Sequence, residues 1–270
     1  INREPSSVFH SSRLSLEGKP GLDYFARRRL PMKMIRHFGL GWAPESRFAL
    51  VNHLRSKGYS EREMIAANGA GETRSGRAMD RFHARVMFPI IDLRGNVVAF
   101  GGRILTNEKP KYINTSDTPV YHKSSGLFAM NFAKNALEND RNILAEGYMD
   151  VISLHKAGIE NAIASLGTAL TAEQARIIAR YAKEVVICYD SDEAGQKAAQ
   201  RAIPILRGAG LLVRVMAVPG NKDPDEFINA CGDEGAARFR RLIEQSGNDV
   251  EYRRAKLKSG YDLSNGNGRI

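Results

Sequence analysis

The second half of the chain alternates short apolar runs with segments whose apolar positions recur every three or four residues. We predict strands from this pattern at 142–146, 161–165, 184–190 and 211–218, and helices at 148–157, 171–181, 193–206 and 234–245. Thr171, with Gln174 three residues later, is a capping box. Pro204 is expected to kink or end its helix. Strands alternating with helices of this length predict a parallel sheet with helices on both faces.

The first half has a different pattern, and residues 1–75 are predicted to be helical, with helices near 22–30, 47–57 and 61–68. Two apolar runs then flank Arg94-Gly95-Asn96 and predict a hairpin of strands 86–92 and 97–100. A polar, basic stretch with interspersed aromatic residues follows. The predicted fold class is α/β, α+β overall. Its domains are a basic N-terminal α/β subdomain (1–130), a parallel-sheet domain (131–232) and a truncated C-terminal helical segment (233–270).

Composition limits the kind of protein. The chain has 270 residues, of which 43% are hydrophobic and 26% charged, as in an ordinary globular protein. It has no apolar stretch long enough for a membrane span and no secretory signal pattern, so we expect no membrane association. Cys188 and Cys231 form no CxxC pair, which suits a reducing cytoplasm and argues against a zinc ribbon. The start at Ile1 and the loop-like end suggest a piece of a longer protein.

The net charge of +10 belongs entirely to the first half of the chain. Residues 1–130 contain 21 Lys and Arg against 11 Asp and Glu, whereas residues 131–270 contain 19 of each. An excess of this size in one region predicts a polyanionic partner such as nucleic acid or a nucleoside triphosphate. A solvated basic surface is the alternative interpretation.

Acidic residues follow three of the predicted parallel strands. They are Glu146 after the first strand, Asp190 and Asp192 after the third, and Asp223 and Asp225 after the fourth. Strand ends of this kind converge on one crevice, where ligands bind. Five carboxylates gathered there would repel one another unless a cation lay among them. The hard divalent ions Mg²⁺ or Mn²⁺ are the expected occupants, and such a site favours phosphoryl or nucleotidyl transfer.

Each cluster also has a simpler interpretation. Asp192 could serve only as the cap of the helix that follows it. Pro224 could make Asp223 and Asp225 part of a mere turn. Asp150, one turn beyond Glu146, could serve only to stabilise the start of its own helix.

The three clusters, in this order, resemble the Toprim domain, which primases, topoisomerases and some nucleases share. The sequence segments around them resemble those of bacterial DnaG-type primase from about Tyr24 to Gln245. These segments are Glu146-Gly147-Tyr148-Met149-Asp150-Val151, Ala164-Ser165-Leu166-Gly167-Thr168-Ala169, Lys222-Asp223-Pro224-Asp225-Glu226, Arg85-Val86-Met87-Phe88-Pro89-Ile90, Phe100-Gly101-Gly102-Arg103, Lys109-Pro110-Lys111-Tyr112-Ile113-Asn114 and Tyr121-His122-Lys123. Arg29 departs from the family pattern, since glycine is usual at this position.

The resemblance implies the RNA-polymerase core of a primase, which makes short RNA primers from ribonucleoside triphosphates on single-stranded DNA. It implies that metal is held by Glu146, Asp190, Asp192, Asp223 and Asp225, with Glu146, Asp190 and Asp192 catalytic and Asp150 an acid of less clear role. The implied nucleotide-binding residues are Arg103, Lys111, Asn114 and Lys123. The DNA-binding candidates are Arg28, Arg81, Arg85 and Tyr112; Tyr112 and Tyr121 could equally be packing residues.

The resemblance also sets expectations about missing parts. The family's zinc ribbon needs a Cys/His cluster that this sequence lacks, so no zinc is expected in this piece. Contact with the replicative helicase would require a C-terminal region beyond this chain, and the chain itself is expected to be a monomer. Two other functions stay open, a Toprim-type metal-dependent nuclease and a non-catalytic nucleotide- or DNA-binding module. A topoisomerase would need a tyrosine nucleophile on a separate domain, which is not visible in the sequence.

Overall fold

The computed structural model describes residues 1–74, 76–166, 169–220 and 223–248. The chain divides into two compact units, residues 1–131 and 132–270. Residues 249–270 of the predicted C-terminal helical segment lie outside the described residues.

The first unit combines short helices with a four-stranded antiparallel sheet. The helices are α1 (Arg3–Ser12), α2 (Lys19–Arg27), α3 (Met32–His37), α4 (Ala49–Ser56) and α5 (Glu61–Ala66). The strands of the sheet are β1 (Gly41–Ala43), β4 (Arg85–Ile91), β5 (Val97–Ile104) and β6 (Tyr112–Asn114), in the order β1-β4-β5-β6. A separate ribbon pairs β2 (Ala70–Glu72) with β3 (Ala78–Asp80). The short helix α6 (Met130–Ala133) lies at the boundary of the two units.

The predicted hairpin is confirmed, because β4 and β5 pair antiparallel from Arg85–Ile104 to Ile91–Val97. Gly95 has φ +88° in the turn, a conformation that favours glycine. The Asp92 carboxylate accepts the backbone N–H groups of Arg94 and Asn96, which closes the turn. The prediction that residues 1–75 are all helical was wrong at β1 and β2. These strands have three residues each, too few to show a period of two.

The core of the first unit packs α1, α4 and α5 onto the sheet. Phe9 on α1 meets Phe100 on β5 edge to face, with ring centroids 5.4 Å apart. Leu50, Leu54 and Met64 pack in the same buried cluster. Asp80 is buried beside them and accepts the backbone N–H groups of Leu50 and Val51, each at 2.8 Å. The carboxylate therefore satisfies donors at the open N-terminal end of α4.

The second unit is built on a sheet of five strands. They are β7 (Arg141–Ala145), β8 (Ala162–Ala164), β9 (Glu184–Ile187), β10 (Leu212–Val215) and β11 (Gly247–Asn248). The first four pair in parallel, as predicted, and β11 adds an antiparallel edge that the sequence did not predict. Every residue of β7 and β8 is buried. Their near-continuous apolar sequence fits strands covered on both faces.

The strand order places a topological switch at the centre of this sheet. The order is β11-β10-β9-β7-β8, so the chain leaves β7 toward β8 on one side and leaves β9 toward β10 on the other. The connections after β7 and β9 therefore diverge. In open α/β sheets the crevice at such a point, outside the carboxyl ends of the strands, is where ligands bind.

The helices of the second unit are α7 (Tyr148–Lys156), α8 (Ala172–Ala179), α9 (Glu193–Gly208), α10 (Pro224–Cys231) and α11 (Gly235–Gln245). The predicted capping box of α8 is confirmed, since Thr171 accepts the Gln174 backbone N–H and Gln174 reaches back to Thr171. Of the two effects predicted for Pro204, it does not end its helix, because α9 continues to Gly208. Pro204 and Gln200 are both exposed, so water can reach the Gln200 carbonyl that the proline leaves without its helical donor.

Buried Arg141 ties α11 to the sheet. Its Nε lies 2.5 Å from Glu184 Oε1 on β9, and its Nη1 lies 2.8 Å from Glu244 Oε1 on α11. No helix in the part of the chain that the structure describes has the length and apolar character needed to cross a membrane.

Candidate functional site

The structure brings Glu146 and Asp190 together at the switch point of the second unit. The Asp190 backbone N–H donates to Glu146 Oε1 at 3.2 Å. Glu146 directly follows β7, and Asp190 comes three residues after the end of β9, so the contact spans the central crevice. Gly195, in the first turn of α9, makes room for it. A Cβ atom at this position would lie only 2.7 Å from Glu146 Oε1. Gly195 was not predicted as a site residue, although a glycine soon after Asp-x-Asp is a usable signal of close approach.

Asp192 and Asp223 cap the helices that follow them. Asp192 Oδ1 accepts the Gly195 backbone N–H at 2.9 Å at the start of α9. Asp223 Oδ1 accepts the Glu226 backbone N–H at 2.8 Å at the start of α10. The structure therefore confirms that Asp192 caps α9, which fits both interpretations of this residue. Capping also fixes where these two carboxylates stand, at the N-termini of α9 and α10.

Asp225 lies deeper than the other acids and is only 2% exposed. Its Oδ1 accepts hydrogen bonds from the Ser153 hydroxyl on α7 and from Asn229 Nδ2, the latter at 2.8 Å. Asn229 also accepts a bond from Lys156 Nζ at 2.7 Å. Neither Ser153 nor Asn229 was singled out by the sequence, because their role depends on how α7 packs against α10.

Asp150 is buried at the start of α7, where its Oδ2 accepts the Gly147 backbone N–H at 3.1 Å. Burial raises the pKa of this carboxyl well above its ordinary value. The negative charges of three further carboxylates raise the pKa of Asp150 in the same direction, in decreasing order Asp223, Asp190 and Asp225. All three predicted clusters therefore meet in one electrostatically coupled region, through the contact of Glu146 with Asp190.

The donors in this region are all oxygens with an excess of negative charge, which fits a hard divalent cation. Burial is the main cause of the raised pKa of Asp150, and the negative charges of Asp223, Asp190 and Asp225 add to it. Within the described ranges, however, no three His, Cys, Asp or Glu side chains are already arranged as a metal-binding group. Three of the acids instead bond to donors of the protein. Asp192 and Asp223 make their cap bonds, and Asp225 makes its buried bonds.

A basic cleft of about 580 Å³ lies within the first unit. Its lining includes Tyr24, Arg27, Arg28, Arg103, Lys109 and Lys111. The Arg103 guanidinium lies 4.8 Å from the Tyr24 ring centroid and 5.4 Å from that of Tyr112, and it donates to the Tyr112 hydroxyl at 3.0 Å. The Arg28 guanidinium also lies over the Tyr24 ring, 5.7 Å from its centroid. The cleft thus joins aromatic faces with cations, a combination that suits nucleotides and single strands.

Of the predicted nucleotide- and DNA-binding residues, Arg28, Arg103 and Lys111 line this cleft, whereas Tyr112, Asn114 and Lys123 are not among its lining residues. The predicted residues also differ in how far solvent reaches them. Lys111 is exposed. Tyr112 and Asn114 are half-buried on β6, a strand that pairs with β5 and was predicted only as a polar stretch. Lys123 is half-buried, and its backbone N–H donates to Asp117 Oδ1 at 3.0 Å. Tyr121 is 5% exposed, so it is a packing residue, and burial raises its pKa to about 12.

Two predicted DNA-binding arginines direct hydrogen bonds into the first unit. Arg85 is 7% exposed and donates to the carbonyl groups of Gly102, at 3.3 Å, and Pro110. Arg81 donates to the Asn114 carbonyl at 3.1 Å and to the Ser116 hydroxyl at 3.2 Å. Burial lowers the pKa of both side chains. These contacts support the β5–β6 region from inside.

Family comparisons match this division of the chain. Residues 8–134 match the family described as the DNA primase catalytic core, N-terminal domain, and residues 143–228 match the Toprim-like family. The RNA polymerase domain of Mycobacterium tuberculosis primase DnaG superposes with a TM-score of 0.87 at 32% identity, covering 97% of this chain and 87% of that one. The chain belongs to the DnaG primase family.

Other relatives of this DnaG-family chain agree. A DnaG primase catalytic domain bound to single-stranded DNA superposes with a TM-score of 0.86 at 33% identity, covering 99% of this chain and 87% of that one. The DNA primase of Clostridium acetobutylicum is 45% identical over 230 residues, which are 85% of this chain and 38% of that protein. The chain spans less than half the length of the curated relatives it matches.

Proposed function

We propose that this chain is the catalytic core of a DNA primase, a DNA-dependent RNA polymerase that makes short RNA primers during replication. The observation that carries the proposal is the contact of Glu146 with Asp190 at the switch point of the Toprim-type sheet. The same chain carries a cleft in which aromatic rings stack with arginines. Its family membership supports the same conclusion, since its relatives are DNA primases.

In this proposal the carboxylates Glu146, Asp190, Asp192, Asp223 and Asp225 hold Mg²⁺ or Mn²⁺. When bound, the ions supply charge neutralisation at the transferring phosphate and orientation of the attacking hydroxyl. The bonds from Ser153 and Asn229 orient Asp225, and the two cap bonds orient Asp192 and Asp223. Partners of this kind fix the direction of metal-ligating side chains.

We further propose that the first unit binds the nucleotide and the template. Arg103, Lys111 and Lys123 hold phosphates, with Asn114 near sugar or base, and the stacked position of Arg103 limits the directions of its donors. Arg28 and Tyr112 face single-stranded DNA. A primase structure bound to single-stranded DNA supports the choice of template. We assign Arg81 and Arg85 to the same DNA-binding region, where their internal bonds support its backbone.

Three broader proposals rest on the sequence and on family membership. The chain acts in the cytoplasm, as its two free cysteines suggest. It works as a monomer. Its contact with the replicative helicase uses a region outside the matched residues, which make up 38% of the Clostridium acetobutylicum primase.

The test is to incubate the chain with single-stranded DNA, ribonucleoside triphosphates and Mg²⁺ or Mn²⁺ at high template concentration. We expect short RNA products from the native chain and none from Asp190→Ala, with Asp233→Ala as a control for loss of an exposed acid. Degraded DNA without RNA would contradict the proposal and indicate a nuclease. Neither product, with DNA binding retained, would contradict it in favour of a binding module.

A further inference from the structure

A basic surface without an assigned role lies on α3 in the first unit. Residues 24–44 contain five Lys and Arg residues and no Asp or Glu. Two of the five, Lys33 and Arg36, lie on α3. The acids that flank the segment are Asp23, which already pairs with a lysine of α2, and Glu45. The positive charge of α3 is therefore not balanced by acids of its own segment.

Lys33 and Arg36 are three residues apart on α3, so they share one face of the helix. We call it the outer face of α3, because Met34 and Ile35 of the same helix are buried. Both cationic side chains are exposed. Neither makes a hydrogen bond or an ion pair with any residue in the described ranges. Their charges are therefore available to a ligand.

A further cation, Arg13, is buried within electrostatic reach of this face. It follows the end of α1 and is only 2% exposed. Its Nη1 and Nη2 lie 2.9 and 3.0 Å from the ring nitrogens of His10, and Nη1 also donates to the Leu40 carbonyl at 3.2 Å. Among the described residues it has no carboxylate partner, and its Nε has no hydrogen-bond partner. Burial, followed by the charge of Arg36, lowers the pKa of Arg13.

This group of cations lacks the anion that such groups normally have, since buried charges in proteins are paired. His10 does not supply it. Burial, followed by the charges of Arg13 and Arg36, lowers the pKa of His10 and so favours the neutral imidazole. A phosphate bound against Lys33 and Arg36 would offset the repulsion between Arg36 and Arg13. The outer face of α3 therefore favours a polyanion such as a nucleic-acid backbone.

The outer face of α3 lies a short distance from the basic cleft. Arg28 lines the cleft, and Lys33 follows it five residues later. Five residues span at most about 18 Å. The chain between them also turns back, because the Leu30 backbone N–H donates to the Phe25 carbonyl at 3.0 Å. A nucleic-acid strand that rises by roughly 3.4 Å per nucleotide covers such a distance in about five nucleotides. A strand that leaves the cleft can therefore reach α3.

We propose that the outer face of α3, through Lys33 and Arg36, is a second binding surface for the phosphate backbone of single-stranded DNA. It holds the template where the strand extends beyond the basic cleft. This proposal rests on the function proposed above, in which the cleft binds the template. A long strand uses both surfaces, whereas a strand that fills only the cleft does not use α3.

The experiment measures the binding of single-stranded DNA of two lengths by fluorescence anisotropy over a series of salt concentrations. The lengths are roughly 4 and roughly 16 nucleotides, the limits of site size in many single-strand-binding domains. The native chain is compared with the double variant Lys33→Ala/Arg36→Ala. The matched control is Lys57→Ala/Arg62→Ala, which removes the same charge from exposed positions at the end of α4 and on α5.

For the native chain, the slope of the logarithm of the association constant against the logarithm of salt concentration should be more negative for the long strand by about 1.4, the value for two phosphates. Lys33→Ala/Arg36→Ala should abolish this difference and weaken binding of the long strand at least about tenfold at low salt. Its affinity for the short strand should be unchanged. Because both side chains are exposed, the variant should keep the native melting temperature.

Three results would overturn the proposal. The first is an equal slope for the two strand lengths in the native chain. The second is native affinity of Lys33→Ala/Arg36→Ala for the long strand. The third is equal weakening by the control variant, which would assign the effect to net charge. Failure of the proposed function is recognised separately. If the native chain makes no RNA, the binding difference still tests the outer face of α3. If the chain makes primers but shows no such difference, this inference alone fails.

Discussion

At the scale of single residues, Asp150 shows most directly how burial and the neighbouring carboxylates change the pKa of an acid at the switch point. The sequence left open whether this acid only stabilises the start of α7. The structure shows that it does bond to the Gly147 backbone N–H, and that burial and neighbouring negative charges raise its pKa. A carboxyl group in such surroundings favours its protonated form in the folded chain.

This raised pKa predicts how stability depends on pH in the absence of metal. The unfolded carboxyl has a pKa of about 3.9. The stabilising contribution of the folded, protonated form is present below that value and is lost as pH rises through the raised pKa of Asp150. Asp150→Asn stays neutral and keeps an acceptor for Gly147, so it should remove this loss.

The measurement is urea unfolding at a series of pH values in EDTA. The free energy of unfolding of the native chain should fall with rising pH relative to that of Asp150→Asn. Asp233→Asn, at an exposed acid, should follow the native curve. Parallel curves for the native chain and Asp150→Asn would show that Asp150 carries no such proton.

At the scale of elements, Asp192 and Asp223 cap α9 and α10, and in our proposal the same two carboxylates also hold metal. Asp192 was a capping residue in one interpretation and a metal ligand in the other, and the structure confirms the cap. The two interpretations differ in what the negative charge is needed for. A cap needs only an acceptor oxygen, which asparagine also supplies, whereas a metal ligand of this kind needs the carboxylate.

Two substitutions of Asp192 separate these duties. Asp192→Ala should lower the free energy of unfolding by about 1 kcal/mol, because the Gly195 N–H loses its acceptor. Asp192→Asn should keep nearly native stability and still lose primer synthesis. Chemical denaturation and the primer assay on both variants provide the check. Primer synthesis by Asp192→Asn at the native rate would leave Asp192 as a cap alone.

The sequence predicted the long elements well because their signals are local. The buried strands β7 and β9 are nearly continuous apolar runs, and α8 begins at a recognisable capping box. The strands β1, β6 and β11 are two or three residues long and exist through pairing with distant partners. A single-sequence pattern carries no record of such partners, so β6, which places Tyr112 beside Arg103, was missed.

The same limit explains which site residues the sequence found. Glu146, Asp190, Asp192 and Asp223 stand at strand ends or helix caps, positions that periodicity and capping rules locate. Ser153 and Asn229 bond to Asp225 through the packing of α7 against α10, and their neighbours along the chain give no hint of it. The burial of Arg85 was equally invisible, because it depends on contacts with Gly102 and Pro110.

At the scale of the whole molecule, the unequal charge of the two halves is the dominant feature. The first 130 residues carry the entire excess of +10. Part of this charge lines the basic cleft, and part is used internally by Arg81 and Arg85. Binding of single-stranded DNA should therefore depend on a small set of exposed cations.

This charge distribution predicts the salt dependence of DNA binding. If Arg27, Arg28 and Lys109, the cations of the cleft that are not assigned to the nucleotide, each neutralise one DNA phosphate, the logarithm of the association constant of a short oligonucleotide should fall with the logarithm of salt concentration with a slope of about −2. Arg28→Ala should reduce the magnitude of that slope by roughly 0.7. Anisotropy titrations from low to moderate salt give both values. A slope near zero, or one unchanged in Arg28→Ala, would show that single-stranded DNA does not bind in the cleft.

The central claim is that the carboxylates that follow β7 and β9 form the nucleotidyl-transfer centre. Its most direct test is a crystal of this chain soaked with Mn²⁺ and a ribonucleoside triphosphate. Anomalous scattering locates the manganese independently of any assumption about its ligands. The account predicts manganese within coordination distance of Glu146 and Asp190, with the triphosphate against it. Manganese bound elsewhere, with no peak at these two carboxylates, would contradict it.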